Sequence, residues 1–401
     1  MRQFAGCLPA ARFASLLRVR RRNSNTGIPK GDHEMANEKQ TLKKLFKELG
    51  AVNAVPGHEH NVIGNILEKV KPHADEVRVD SIGNVYAVKK GAKKGPAFMV
   101  MAHMDEIGLI IKNILPDGFL LFEKLGGVHD TLLPGKRFRI GPKKILGVIG
   151  TKPGHLQTPQ EASSVRPATK CYIDIGASSR EEVEKLGIRI GDMAVWEGNY
   201  EEMANPDLIC AKAADDRIGC AILIELLASL KASDFAGTLQ VVFSVREETG
   251  LFGAPVAVNN LNPDYALAID TIPAGDTPDV NTASELPVFL GKGPGLPVAS
   301  GVGYTFASVA HPAVVEMLEK HAAKLKINLQ RMTLSNTGYA TDGDKIPYAG
   351  KGVATATLAI PRRYSHSPIE LFNINDAVSV LKVLQAMTKD NAKADFRFFK
   401  G

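Results

Sequence analysis

With 401 residues, 44% of them apolar, the chain has enough material for one large domain and a smaller one, each with its own core. No apolar run reaches the roughly 18 residues that a membrane-spanning helix needs, so no membrane partner is expected. The formal charge of +6 resides in residues 1–31, which carry six Arg, one Lys and no acid; the remainder is near −1, without the global charge that would favour nucleic acid.

The opening stretch, "MRQFAGCLPAARFASLLRVRRRNSNTG", is Arg-rich and free of acids, the profile of an organelle transit peptide. Met35 begins "MANEKQTLKKLFKEL", an alternative start, so residues 1–34 are read as a basic tail outside the fold, either a presequence or upstream translation. The expected location is cytoplasmic, or mitochondrial or otherwise organellar if the tail is a presequence. Cys7, Cys171, Cys210 and Cys220 show no C-x-x-C spacing, which suits free thiols in a reducing compartment.

From Glu38 the helical period is clear, with Leu42, Leu45, Phe46 and Leu49 at i, i+3, i+4 and i+7, and Val62, Ile63, Ile66, Leu67 and Val70 repeating it. Strands are expected at "EVRVD", "NVYAV" and "AFMVMAHMD". Residues 106–199 then change texture: short β-rich runs ("GLIIKNI", "GFLLFEKL", "RFRIG", "ILGVIGTK", "CYIDIG", "MAVWEG") are cut by Gly, Pro and Asp turns. One helix is evident there, with Ser179 and Glu182 as a capping box and Gly187 as its stop.

From residue 200 the α/β alternation resumes with helix "DRIGCAILIELLASLKAS", strands "TLQVVFSV" and "YALAID", helix "PAVVEMLEKHAAKL", strand "VATATLAIP" and helix "NDAVSVLKVLQAM". This predicts an α/β fold, a mixed sheet covered by helices on both faces. Residues 35–105 and 200–401 would form one discontinuous domain, and 106–199 a small, mostly β insert.

In such sheets reactive groups collect beyond the carboxyl ends of the strands. His103 and Asp105 follow "AFMVMA"; Glu247 and Glu248 follow "TLQVVFSV"; Asp270 ends "YALAID"; His366 follows "VATATLAIP"; Asp215 and Asp216 stand where the long helix begins. Oxygen and imidazole without sulfur suit Zn²⁺, Co²⁺ or Mn²⁺, and a set this rich in carboxylates can hold two ions if one carboxylate bridges them. Asp105, two residues beyond His103 in a strand, would share its face and accept the second imidazole N–H. Asp215 and Asp216 would equally suit the positive end of a helix dipole. Gly-rich "GKGPGLPVASGVG" lacks a phosphate-binding signature, and no G-x-S-x-G elbow is present.

"AHMDEIG" at 102–108, "KAADDRIG" at 212–219, "REETGLFGA" at 246–254, "AIDTIPAGDTP" at 268–278 and "IPRRYSHSPIE" at 360–370 resemble the five signature blocks of the M42 metallo-aminopeptidases, which include the TET peptidases and bacterial glutamyl aminopeptidases. The resemblance implies that Asp215 bridges two divalent ions, zinc or cobalt, that His103 and Asp270 complete one site, and that Glu248 and His366 complete the other. It further implies that Glu247 is the general base acting on a metal-bridging water and that Asp105 orients His103. The insert would be a PDZ-like dimerisation domain, with dimers assembling into larger homo-oligomers, commonly dodecamers, and the substrates would be peptides cleaved at the N-terminal bond. An N-acyl amino acid deacylase on the same metals is the alternative, and an endoglucanase, which would need two carboxylates and no metal, a more distant one. The residues selecting the substrate's N-terminal side chain are not identifiable from the sequence.

Overall fold

Alternation in "AFMVMAH" sends Phe98, Val100 and Ala102 to one face of a strand and Met99 and Met101 to the other, and both sets are buried. Such a strand must be covered on both sides, as the computed structural model shows. It describes residues 30–301, 308–334, 338–391 and 395–398. The basic tail through residue 29, with Cys7, lies outside the described residues.

Among the described residues, the main sheet runs in the order Glu76–Val79, Val85–Lys90, Ala236–Ser244, Lys93–His103, Tyr265–Pro273, Ala354–Arg363, Glu370–Asn373, Leu208–Ala211, Glu201–Glu202. The central four, from Ala236–Ser244 to Ala354–Arg363, are mutually parallel. Their carboxyl ends, Ser244, His103, Pro273 and Arg363, therefore open on the same side. Helices Lys30–Gly50, His60–Val70, Ala214–Ser229, Pro312–Leu325 and Ile374–Lys389 contribute to the core that includes Phe98, Val100 and Leu223. Helix Gly253–Leu261 packs Ala254, Ala257 and Val258 against the opposite face with Met99 and Met101. The mixed α/β fold with helices flanking the sheet is thus as the pattern predicts.

A second, wholly antiparallel sheet has the order Leu120–Leu125, Gly108–Ile114, Met193–Trp196, Lys136–Ile140, Ile145–Ile149. It buries its own cluster, with Leu109, Ile111, Leu120, Phe138, Ile140, Ile173 and Trp196. Its helix Arg180–Leu186 begins at Ser179, whose side chain accepts the Glu182 N–H, and ends at Gly187 with φ +90°. The Glu182 carboxylate, however, takes the N–H of Ser178 rather than that of Ser179, so the expected reciprocal box closes one residue early. A further short helix, Pro159–Ser163, was not expected, although Thr158 and Glu161 form a complete capping box with Pro at the first turn. Cys171, Cys210 and Cys220 are free thiols.

Candidate metal centre

The strand Lys93–His103 stops at the residue whose side chain it delivers. His103 is fully buried; its Nε2 lies 3.2 Å from Asp215 Oδ1, 3.8 Å from Asp270 Oδ1 and 4.0 Å from Glu247 Oε2. The strand has ended at His103, and Asp105 meets the imidazole with both its backbone and its side chain. His103 Nδ1 faces the Asp105 backbone carbonyl at 3.1 Å, with the carboxylate 3.6 Å away. That carboxylate also accepts the backbone N–H groups of Glu247, at 3.2 Å, and Glu248, at 3.1 Å.

The two aspartates at the start of the long helix divide the readings that the sequence left open. Both have non-helical φ/ψ. Asp216 Oδ1 accepts the Gly219 N–H at 3.0 Å, an N-terminal capping bond of the kind its position suggests. Asp215 turns the other way, into the centre between the histidines. Its Oδ1 faces His103 and accepts the Thr271 hydroxyl at 2.9 Å, while its Oδ2 lies 3.3 Å from His366 Nε2. His366 Nε2 is also 3.6 Å from Glu248 Oε2.

His366 is reached by both sheets. The segment following strand Leu120–Leu125 brings the Gly127 carbonyl to 3.3 Å from His366 Nδ1. A Cβ on Gly127 would stand 2.4 Å from that nitrogen, so only glycine permits this approach.

Several groups that sequence reasoning passed over complete the arrangement. Arg362, buried, donates from Nη2 to Asp215 Oδ2 and from Nη1 to Glu370 Oε1. Glu370 also accepts the backbone N–H groups of Asp215, at 3.2 Å, and His366, at 2.9 Å. Arg363, its neighbour on the strand, points away and pairs with Asp276 at 2.8 Å. The signal was the doubled Arg in "IPRRYSHSPIE", since alternation at a strand end must turn one of the two inward.

Five of the seven expected groups thus converge directly, Glu247 joins them at the edge of His103, and Asp105 holds the turn behind. Two sets place ligand atoms within 4.8 Å of one another: His103, Glu247 and Asp270, and His103, Asp215 and Glu248. Burial drives the carboxyls of Glu247 and Asp270 well above the ordinary carboxylate range and pushes Glu248 up to about 7. Burial also pulls at His103, but Glu247, Asp105 and Asp215 outweigh it and hold the imidazole well above its usual value. Asp215 is the exception among the acids: despite its burial, Arg362 and the two histidines keep its carboxyl well below the usual range. Glu248 Oε1 is buried without a hydrogen-bond partner. Four crowded carboxylates, two imidazoles and an orphaned carboxylate oxygen fit divalent cations, which would neutralise the acids and occupy that oxygen.

The centre lines a cavity of about 1050 Å³. Around it stand Leu251, Pro273, Leu286, Leu334, Tyr339 and Tyr348, with Asp344, Lys345 and Glu285 also on the wall.

The model of the M42 glutamyl aminopeptidase family matches residues 83–383. The chain belongs to this family. Among solved M42 relatives, the aminopeptidase APDkam598 from the archaeon Desulfurococcus kamchatkensis superposes with a TM-score of 0.83 at 36% identity, covering 88% of this chain and 96% of that one. The Pyrococcus horikoshii TET1 peptidase, described as assembling into a tetrahedron or a large octahedral shell, gives a TM-score of 0.74 at 31% identity, covering 88% and 99%. The lysyl aminopeptidase of Pyrococcus furiosus is 32% identical over 89% of this chain and 98% of its own. As an M42 protein the chain is a metallo-aminopeptidase, and its two candidate metal-binding clusters are consistent with dinuclear hydrolysis. No described helix is long and apolar enough to cross a membrane.

Proposed function

We propose that Asp215 is the shared ligand of two divalent cations, zinc or cobalt, with His103 and Asp270 completing one position and Glu248 and His366 the other. The observation that carries this reading is the division of one carboxylate: Oδ1 faces His103 and Oδ2 faces His366. When bound, the two ions supply Lewis acidity that polarises a scissile carbonyl and acidifies a water. Glu247 Oε2 stands at the margin of the His103 group and takes that water's proton, later giving it to the leaving amine. Asp105 fixes the backbone from which Glu247 and Glu248 project, and its carbonyl orients the His103 ring.

The substrates are peptides, cleaved at the N-terminal bond, in keeping with a cavity of about 1050 Å³ in which apolar Leu251, Pro273 and Leu286 stand beside the proposed ligands and can receive a side chain. Full-length protein should release the chromophore from aminoacyl-anilides, stop on EDTA treatment and recover with Zn²⁺ or Co²⁺. Full activity in chelator would overturn this reading, and preference for N-acetylated substrates would make the protein a deacylase.

Residues 106–199 act as a PDZ-like insert in a catalytic domain made of 35–105 and 200–401, and this insert joins subunits into dimers that assemble further, to dodecamers. Leu146, Val148, Leu156, Val165 and Tyr172 are exposed apolar groups in this part of the chain. Light scattering should therefore show a particle far above 43.1 kDa.

A further inference from the structure

The two candidate metal positions are built from similar ligands but differ in what else holds the carboxylate they share. On the His103 side, Asp215 Oδ1 accepts from the Thr271 hydroxyl, a neutral group whose O–H can rotate. On the His366 side, Asp215 Oδ2 accepts from Arg362, a guanidinium that cannot lose its charge in a protein. Arg362 has nowhere else to go. It is 2% exposed and its Nη1 edge is bonded to Glu370, which in turn holds the backbone N–H groups of Asp215 and His366. Glu370 neutralises the guanidinium overall, but from the Nη1 side. The Nη2 edge still presents positive charge to the oxygen that a cation beside His366 and Glu248 would need.

We infer that Arg362 makes the two metal positions unequal: the ion at His103, Asp270 and Asp215 Oδ1 binds tightly, and the ion at His366, Glu248 and Asp215 Oδ2 binds weakly and exchanges. This rests on the two-metal reading above. Arg362 is a positioning residue. It holds Asp215 between the histidines whether or not the weak position is filled, and it competes with the second cation for one oxygen. The protein would thus pass between a one-ion and a two-ion form within the range of free metal over which the weak position fills.

The test is metal stoichiometry of the full-length protein, stripped and then equilibrated with graded free Co²⁺, with bound metal counted by elemental analysis and followed by visible absorption. The wild type should load in two steps, the second at least about tenfold weaker, because repulsion between a fixed positive charge and a nearby dication is large where water is excluded. Arg362→Gln, which retains an N–H for Asp215 without the charge, should bring the steps to within about threefold of each other, as should Arg362→Met combined with Glu370→Gln, which removes the guanidinium together with the acid on its other edge. Two equivalents taken up in a single step by the wild type, or an unchanged separation in the variants, would overturn the inference while leaving the two-metal reading intact. One equivalent only, in wild type and variants alike, would instead sink the two-metal reading itself.

Discussion

One oxygen of the Asp105 carboxylate accepts the backbone N–H of Glu247 at 3.2 Å, and the other takes that of Glu248 at 3.1 Å. The side chain thus fixes the turn from which the proposed base and the proposed ligand project. Asp105→Asn would present an amide N–H to one of those donors. Metal affinity or turnover should fall by about 10–100-fold, the usual cost of losing a group that positions ligands, while far-UV circular dichroism stays unchanged. Wild-type metal binding and kcat in this variant would remove Asp105 from the machinery.

Glu247 separates two roles that its position permits, since it lies within ligand distance of His103 and Asp270 and is also free to act on a proton. As the base, its replacement in Glu247→Gln should lower kcat by about 10²–10⁴-fold while metal content and assembly persist. Loss of one ion in that variant would make Glu247 a ligand and return the base role to its neighbour.

Gly127 gives a steric prediction. A methyl placed 2.4 Å from His366 Nδ1 must push the ring or the backbone aside. Gly127→Ala should cost about 1–3 kcal/mol in unfolding free energy, as overpacking does, and should weaken one metal position with little effect on the other, measured by metal titration.

The dependence on pH follows from two of the proposed ligands. Burial lifts Glu248 to about 7. Burial also pulls His366 down, yet Glu248 and Asp215 outweigh it and the ring ends at about 9. Both values lie above those of the unfolded chain, so the metal-free folded state holds the extra protons. Their contribution to stability is complete at low pH and is lost as pH rises through about 7 and then about 9. Metal needs these groups deprotonated, so its affinity rises over the same window. Stripped protein should melt lower at about pH 9 than at about pH 6, and added Co²⁺ should raise the melting temperature more at the higher pH. A metal effect independent of pH in differential scanning fluorimetry would contradict this.

Away from the centre, Lys212 donates to both oxygens of buried Glu106, at 3.0 and 2.8 Å, and Glu106 also accepts the Ala54 N–H at 3.1 Å. Lys212→Met leaves that acid with Arg217 at 3.7 Å as its nearest cation. The cost should be about 3 kcal/mol in chemical unfolding, partly recovered by Glu106→Gln in the same chain.

Much of this was legible in the sequence for a physical reason. Strand ends and carboxylates are local signals, so His103, Glu247, Glu248, Asp270 and His366 could be picked from their places after apolar runs, and they meet because parallel strands end on one side. Asp215 and Asp216 could be told apart only through the family resemblance, because which one caps the helix depends on backbone angles that composition does not encode. Arg362 and Glu370 escaped because the doubled Arg shows that one of the pair turns inward but not which one, nor that it meets Asp215, 147 residues away. Asp105 was expected beside His103 and lies there, with its carboxylate 3.6 Å from Nδ1, but its bonds to the backbone of Glu247 and Glu248 had no local signal, since they join segments over 140 residues apart.

The Gly127 carbonyl stands just after a strand of the antiparallel sheet, whereas the imidazole it steadies stands in the loop between two strands of the main sheet. Neither hydrophobic core contains the centre by itself. A nascent or unfolding chain in which the small sheet has not docked would retain the metal-facing acids yet lack the contact that steadies His366. The placement of His366 is therefore tied to completion of the whole architecture rather than to either sheet alone.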